Sequence, residues 1–125
     1  MSTIALVFSF VLAAVCLLSG ANKFSGSELA RTTPEHLDID PGRYRLAGVF
    51  ELIGAVGLVL AALGVVADWL GAAAAFGMCL LMAFAIAFHL RAGDPFAPKG
   101  SDSPGWAPAG FVLLLAAVTG ILILA

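Results

Sequence analysis

The stretch 45-RLAGVFELIGAVGLVLAALGVVA-67 decides the fold, because it is long and apolar enough to cross a bilayer as a helix yet carries one carboxylate, Glu51. A bilayer core of about 30 Å takes roughly 20 helical residues. An ionisable group inside such a span costs at least ~2.5 kcal/mol on insertion scales, so it normally faces other protein rather than lipid. Counted from Leu46 at about 1.5 Å per residue, Glu51 lies about 8 Å inside one end of the span. On a helix that turns about 100° per residue, Gly54, Gly57, Ala61 and Gly64 share an arc of about 80°, with Glu51 about 60° beyond its edge. Small residues let helix backbones approach where lipid supplies no hydrophobic push. The stretch reads as a helix inside a bundle with its carboxylate turned toward its neighbours. The plainer alternatives for Glu51 are snorkelling to the headgroups or structural pairing with Arg45.

The rest of the chain agrees. Of its 125 residues 62% are hydrophobic and 11% charged, with a mean hydropathy of +1.07, whereas a soluble domain carries about a quarter charged residues. The charges gather in two segments, 22–45 and 91–102, leaving four long apolar runs. The expected spans are 3–22, 45–67, 69–90 and 107–125, and the fold class is all-α, a transmembrane four-helix bundle forming one domain in the lipid bilayer. A net charge of −2 without a Lys/Arg cluster excludes nucleic acid as a partner. Cys16 and Cys79 lie in separate runs without a C-x-x-C motif and read as small buried apolar residues.

Taken in order, the first run has no charge and no positive n-region, so it is expected to be a retained span. Ser25 to Pro41 mixes both signs of charge with two prolines and belongs outside the hydrocarbon. Ser25 or Ser27 can cap a short interfacial helix over SGSELAR that ends before Pro34, with another turn at PEHL. His36 has no partner at metal-ligand spacing and is expected in a surface loop. ADWLG is expected as the turn between the second and third spans, with Trp69 at the interface. Met78, Met82, Ala85 and His89 share one face of the third span, a packing pattern. Only one histidine is embedded and H-E-x-x-H is missing, so no metal or haem is expected. GDPFAPKGSDSPGWAP is dense in Gly and Pro and reads as an irregular loop.

With four spans the two charged loops share one side of the membrane. They hold all six Lys and Arg residues, which by the positive-inside rule makes them cytoplasmic and places both termini outside. Lys23 closes the first span, Arg45 and Glu51 open the second, and His89 and Arg91 close the third. These five are the candidate ligand-binding residues, since all occupy one leaflet of a small bundle. A carboxylate with a nearby imidazole and guanidinium suits holding and protonating a carbonyl or hydroxyl of a lipophilic molecule such as a quinone.

At these residues the chain resembles the DoxX-like family of small four-helix membrane proteins. The likeness spans roughly residues 5 to 120 and rests on SGANKF at the end of the first span, RLAGVFELIGAVGLVL in the second and AFHLRAGDP at the end of the third. Its most specific part is Gly48, Glu51, Leu52, Gly54, Ala55, Gly57 and Leu58. The family's name derives from a membrane subunit of a thiosulfate:quinone oxidoreductase, and the resemblance implies at most an association with redox stress or electron-transfer partners, most relatives having no assigned activity. It carries over no established catalytic residue, and a thiosulfate-oxidising centre would have to come from a partner.

Three functions are therefore expected to compete. The first is a membrane protein that binds a quinone-like lipophile, with no other cofactor, and assists a membrane redox complex. The second is a structural or assembly subunit of a larger membrane complex, in which the small-residue faces also suit a homodimer. The third is a small proton-coupled exporter built around Glu51, although the small multidrug transporters carry their key Glu in the first helix. Whether the chain is itself an enzyme stays open.

Overall fold

A computed structural model describes residues 1–97 and 105–125. Lys99, one of the six cations, and the middle of the expected second loop lie outside the described residues. Five helices follow in order: α1 Thr3–Asn22, α2 Glu28–His36, α3 Pro41–Ala62, α4 Asp68–Arg91 and α5 Ala107–Leu124. The described residues contain no strand. All but α2 are long and apolar enough to cross a membrane.

The four long helices form a closed ring in which α1 packs on α3 and α5, and α4 packs on α3 and α5. Sequence neighbours are thus spatial neighbours, the up-down-up-down arrangement that short connections favour. The two end faces of the bundle differ. Met1 and Ile123 flank Gly71, so the start of α1, the α3–α4 turn and the end of α5 share one face. Lys23, α2, Pro41 and Arg91 occupy the other.

The centre of the ring is filled with small residues and a few large ones, Ala5, Leu12, Ala55, Leu58, Ala75, Met78 and Ala116. Bulky side chains such as Leu18, Ile53, Leu80 and Phe111 point outward. That inversion follows from the solvent: lipid does not drive Leu inward, whereas close backbone packing rewards Ala and Gly. Met78 and Met82 are both buried, as the helical spacing implied.

Several boundaries differ from those expected. The second span begins at Pro41, not Arg45, because Asp40 caps it: its Oδ2 accepts from the N–H groups of Gly42 at 3.0 Å and Arg43 at 3.3 Å. Pro41 costs nothing at the first helical position, where an N–H would have no helical partner. The span ends at Ala62 rather than 67, where Gly64 at φ +73° folds the chain back and Val65 N–H bonds to Leu60 O at 2.9 Å. Gly64 therefore leaves the expected small-residue stripe, and Asp68 and Trp69 start α4 instead of forming the turn. The first loop holds one helix, not two turns separated by Pro34. Ser27 caps it by accepting from Ala30 N–H at 3.2 Å. Pro34 lies within it, surrendering one backbone bond but burying its ring.

Candidate functional site

The site begins where α1 and α3 cross. A Cβ placed on Gly20 would lie 2.9 Å from the Gly48 carbonyl oxygen, and one on Gly48 would lie 3.1 Å from the Gly20 carbonyl and from Lys23 Cβ. Only glycine admits this approach. Tyr44, Gly48, Glu51, Ala55 and Leu58 follow helical spacing, so Glu51 lies on the same inward face of α3 as the crossing. Lys23, the residue after α1, lies directly over it.

Helical side chains lean toward the N-terminal end of their helix. The Lys23 ammonium does so, donating to Ser19 Oγ at 3.1 Å and to Glu51 Oε1 at 2.9 Å, and it lies 5.3 Å from the centre of the Tyr44 ring. It does not snorkel outward. The Glu51 residue is 1% exposed, as deeply placed as the core leucines. Its second oxygen, Oε2, is buried without a hydrogen-bond partner among the described residues. A buried polar atom left in that state costs about 1–3 kcal/mol, and more for a charged group. The pair is thus half satisfied: Lys23 donates to one carboxylate oxygen, and no described group donates to the other.

A second polar set sits at the end of α4. Gly93, at φ +79°, reverses the chain so that Asp94 N–H reaches His89 O at 3.0 Å. This reversal brings the side chains of residues 89 and 94 together. Asp94 Oδ2 meets His89 Nδ1 at 2.6 Å, and Oδ1 meets His36 Nε2 at 2.7 Å. An ionised carboxylate only accepts, so both ring nitrogens donate. Burial raises the Asp94 pKa, but the hydrogen bonds and positive charge of His89 and His36 outweigh it and hold the carboxyl below its usual value. Arg91 completes the set. Its Nη2 donates to the Leu37 carbonyl at 2.8 Å and the Asp38 carbonyl at 3.2 Å, the free carbonyls beyond the end of α2. Within the described residues no group of three His, Cys, Asp or Glu side chains is arranged to hold a metal ion.

Four of the five candidate residues thus fall into two sets, with no hydrogen bond or ion pair between the sets among the described residues, and Arg45 belongs to neither. Lys23 and Glu51 are joined. His89 and Arg91 fasten α2 and the chain beyond α4, since Asp94 takes the imidazole that the sequence left free for Glu51. Arg45 is exposed and forms no ion pair among the described residues. His36 ends a helix and bonds to Asp94 instead of lying free in a surface loop. Ser19, Tyr44 and Asp94 were missed altogether. The signal for Asp94 was present in HLRAGD, where a glycine after a helix carries the next residue back to the last turn.

Two concavities accompany these sets. A groove of about 640 Å³ between α3 and α4 passes Phe50, Gly54, Gly57, Ala74, Gly77 and Phe84 and holds no polar side chain. A cleft of about 370 Å³ under α2 is lined by Lys23, Phe24, Arg31, Pro34, Tyr44 and Arg45 among others. Of these two concavities the cleft is the one with polar side chains, and there Lys23 forms part of the wall and reaches Glu51 behind it. Cys16 and Cys79 are both free thiols, and Cys79 Sγ donates weakly to the Leu113 carbonyl at 3.5 Å.

A protein-family model described as the DoxX-like family matches residues 7–119. No curated protein and no solved structure matches the chain.

Proposed function

From the premise that the chain belongs to the DoxX-like family of multi-pass membrane proteins, we propose that it holds the head of a quinone-like lipophile at Lys23 and Glu51 and assists a membrane redox partner. The observation that carries this reading is the unpartnered Oε2 of a carboxylate that is 1% exposed. A quinol hydroxyl would donate to that oxygen, and the Lys23 ammonium would donate to a quinone carbonyl. The pair therefore suits both redox forms of the same ring. Reduction needs two electrons and two protons. The partner supplies the electrons, Glu51 relays one proton to a quinone oxygen, and the second arrives through the cleft. The cleft faces the cytoplasm in this reading, the side the positive-inside rule gives to its loops.

The test is extraction of protein purified from its native membrane, with quinone counted per chain by mass spectrometry. Near-stoichiometric quinone in the wild type, lost in Glu51→Gln and kept in a control at exposed Leu80, supports the proposal. Equal quinone content in wild type and Glu51→Gln, or none in either, overturns it. One observation favours a second reading: the tight Gly20–Gly48 crossing makes Lys23–Glu51 a lock between two helices in an assembly subunit. In that case the variant loses stability while ligand is absent throughout.

A further inference from the structure

Two of the three cations that line the cleft have no acid in direct contact among the described residues. Lys23, Arg31 and Arg45 line it together with Phe24, Pro34 and Tyr44, and no carboxylate does. Glu51 neutralises Lys23 from behind. Among the described residues Arg31 and Arg45 are both outside every ion pair, although the acidic Glu28 and Glu35 flank Arg31 on α2. Two guanidinium groups with no direct ion-pair partner among the described residues thus gather around one concavity in a chain whose net charge is −2. Its place matters as much as its sign. The cleft opens where α1 ends and α3 begins, the level at which lipid phosphates lie, and Phe24, Leu29 and Leu46 are exposed around it. A basic cleft with apolar side chains at its edge fits an amphiphile whose anionic group is next to its acyl chains.

We propose that this cleft is a phosphate-binding site whose physiological ligand is the headgroup of an anionic phospholipid, held by Arg31 and Arg45 at the rim with Lys23 below. Guanidinium groups present paired donors that match phosphate oxygens. Basic pockets between spans commonly select anionic headgroups in this way. The site does not depend on quinone binding. It shares Lys23 with the proposed quinone contacts, but Arg31 and Arg45 belong to it alone and Glu51 to the quinone contacts alone.

The test is native mass spectrometry of the full chain in detergent, with dioleoylphosphatidylglycerol and dioleoylphosphatidylcholine added in turn. Each rim arginine is expected to contribute about fivefold, so the wild type should prefer the glycerol lipid by about twenty-five-fold. Arg31→Gln with Arg45→Gln should abolish that preference. Arg43→Gln, at an exposed arginine outside the cleft, should keep it, and so should Glu51→Gln, which frees the Lys23 charge. Inorganic phosphate identifies the source: displacement of the lipid at millimolar phosphate means the phosphate group suffices, and persistence of the lipid means the acyl chains are also gripped. Both results support a phosphate site. No preference in the wild type, or an Arg43→Gln loss as large as that of the double variant, overturns the proposal. Quinone content measured on the same double variant separates the two sites, because its retention with loss of lipid preference leaves the quinone reading intact.

Discussion

Replacing Lys23 by Met tests the buried pair most directly. Methionine keeps most of the apolar stem and its packing beside Gly48 but removes the ammonium. The side chains of Lys23 and Glu51 are 13% and 2% exposed at a separation of 2.9 Å, so among the described residues Oε1 of Glu51 would lose its one partner while Oε2 already has none. Breaking a buried ion pair from one side costs about 3–5 kcal/mol. Because Lys23 touches the cleft, the lower end applies, about 3 kcal/mol or roughly a 150-fold fall in the folding constant. Glu51→Gln should cost less, about 1–2 kcal/mol, since the amide oxygen still accepts from Lys23 without charge assistance. The double variant Lys23→Met with Glu51→Leu should recover much of the loss, as apolar replacements of buried pairs often do. Unfolding in mixed micelles with rising denaturing detergent, followed by helical circular dichroism, gives these stabilities and that of Glu51→Leu alone, which closes the double-mutant cycle. A loss below about 1 kcal/mol for Lys23→Met, or a cycle additive to within about 0.5 kcal/mol, refutes the coupling.

Gly20→Ala should destabilise by about 1–3 kcal/mol, because the new methyl meets backbone and Leu52 Cγ at 2.9 Å, whereas Gly77→Ala meets nothing within 4 Å and should be neutral or slightly stabilising in the same unfolding assay. Asp94 has a lowered pKa in the folded chain, so its contribution is complete above the ordinary carboxylate value of about 3.9 and disappears as pH falls through the lowered one. Asp94→Asn should flatten that acid limb of a stability–pH curve, and an unchanged limb would show that Asp94 is not its source. Arg91→Ala removes both bonds to the carbonyls beyond α2, so amide exchange across residues 28–36 should accelerate while that of α3 stays the same. Arg91→Lys should restore part of the protection.

The bundle was readable because hydropathy and length alone settle four spans, and Glu51 stood out as a carboxylate that lipid would not tolerate. Its partner was within reach too, since Lys23 ends the preceding span on the same face of the membrane. What escaped was decided by backbone reversals rather than periodicity. Asp94 read as part of an irregular loop dense in Gly and Pro until Gly93 turned it back onto His89, and Asp38, at φ 55°, likewise reverses the chain after α2. The start of α3 was misplaced for a related reason: hydropathy marks where a helix enters lipid, whereas the Asp40 cap marks where it begins.

Helix α2 has only nine residues, too few to hold together in water unaided. It persists as a strut clamped at its far end to α4 through His36, Arg91 and Asp94, and tethered at its near end to α1 through residues 23–27. Diagonal members of the ring, which barely touch inside the bilayer, are therefore braced against each other outside it. Any tilt of α4 relative to α1 must stretch or release this brace, and with it the roof over the cleft.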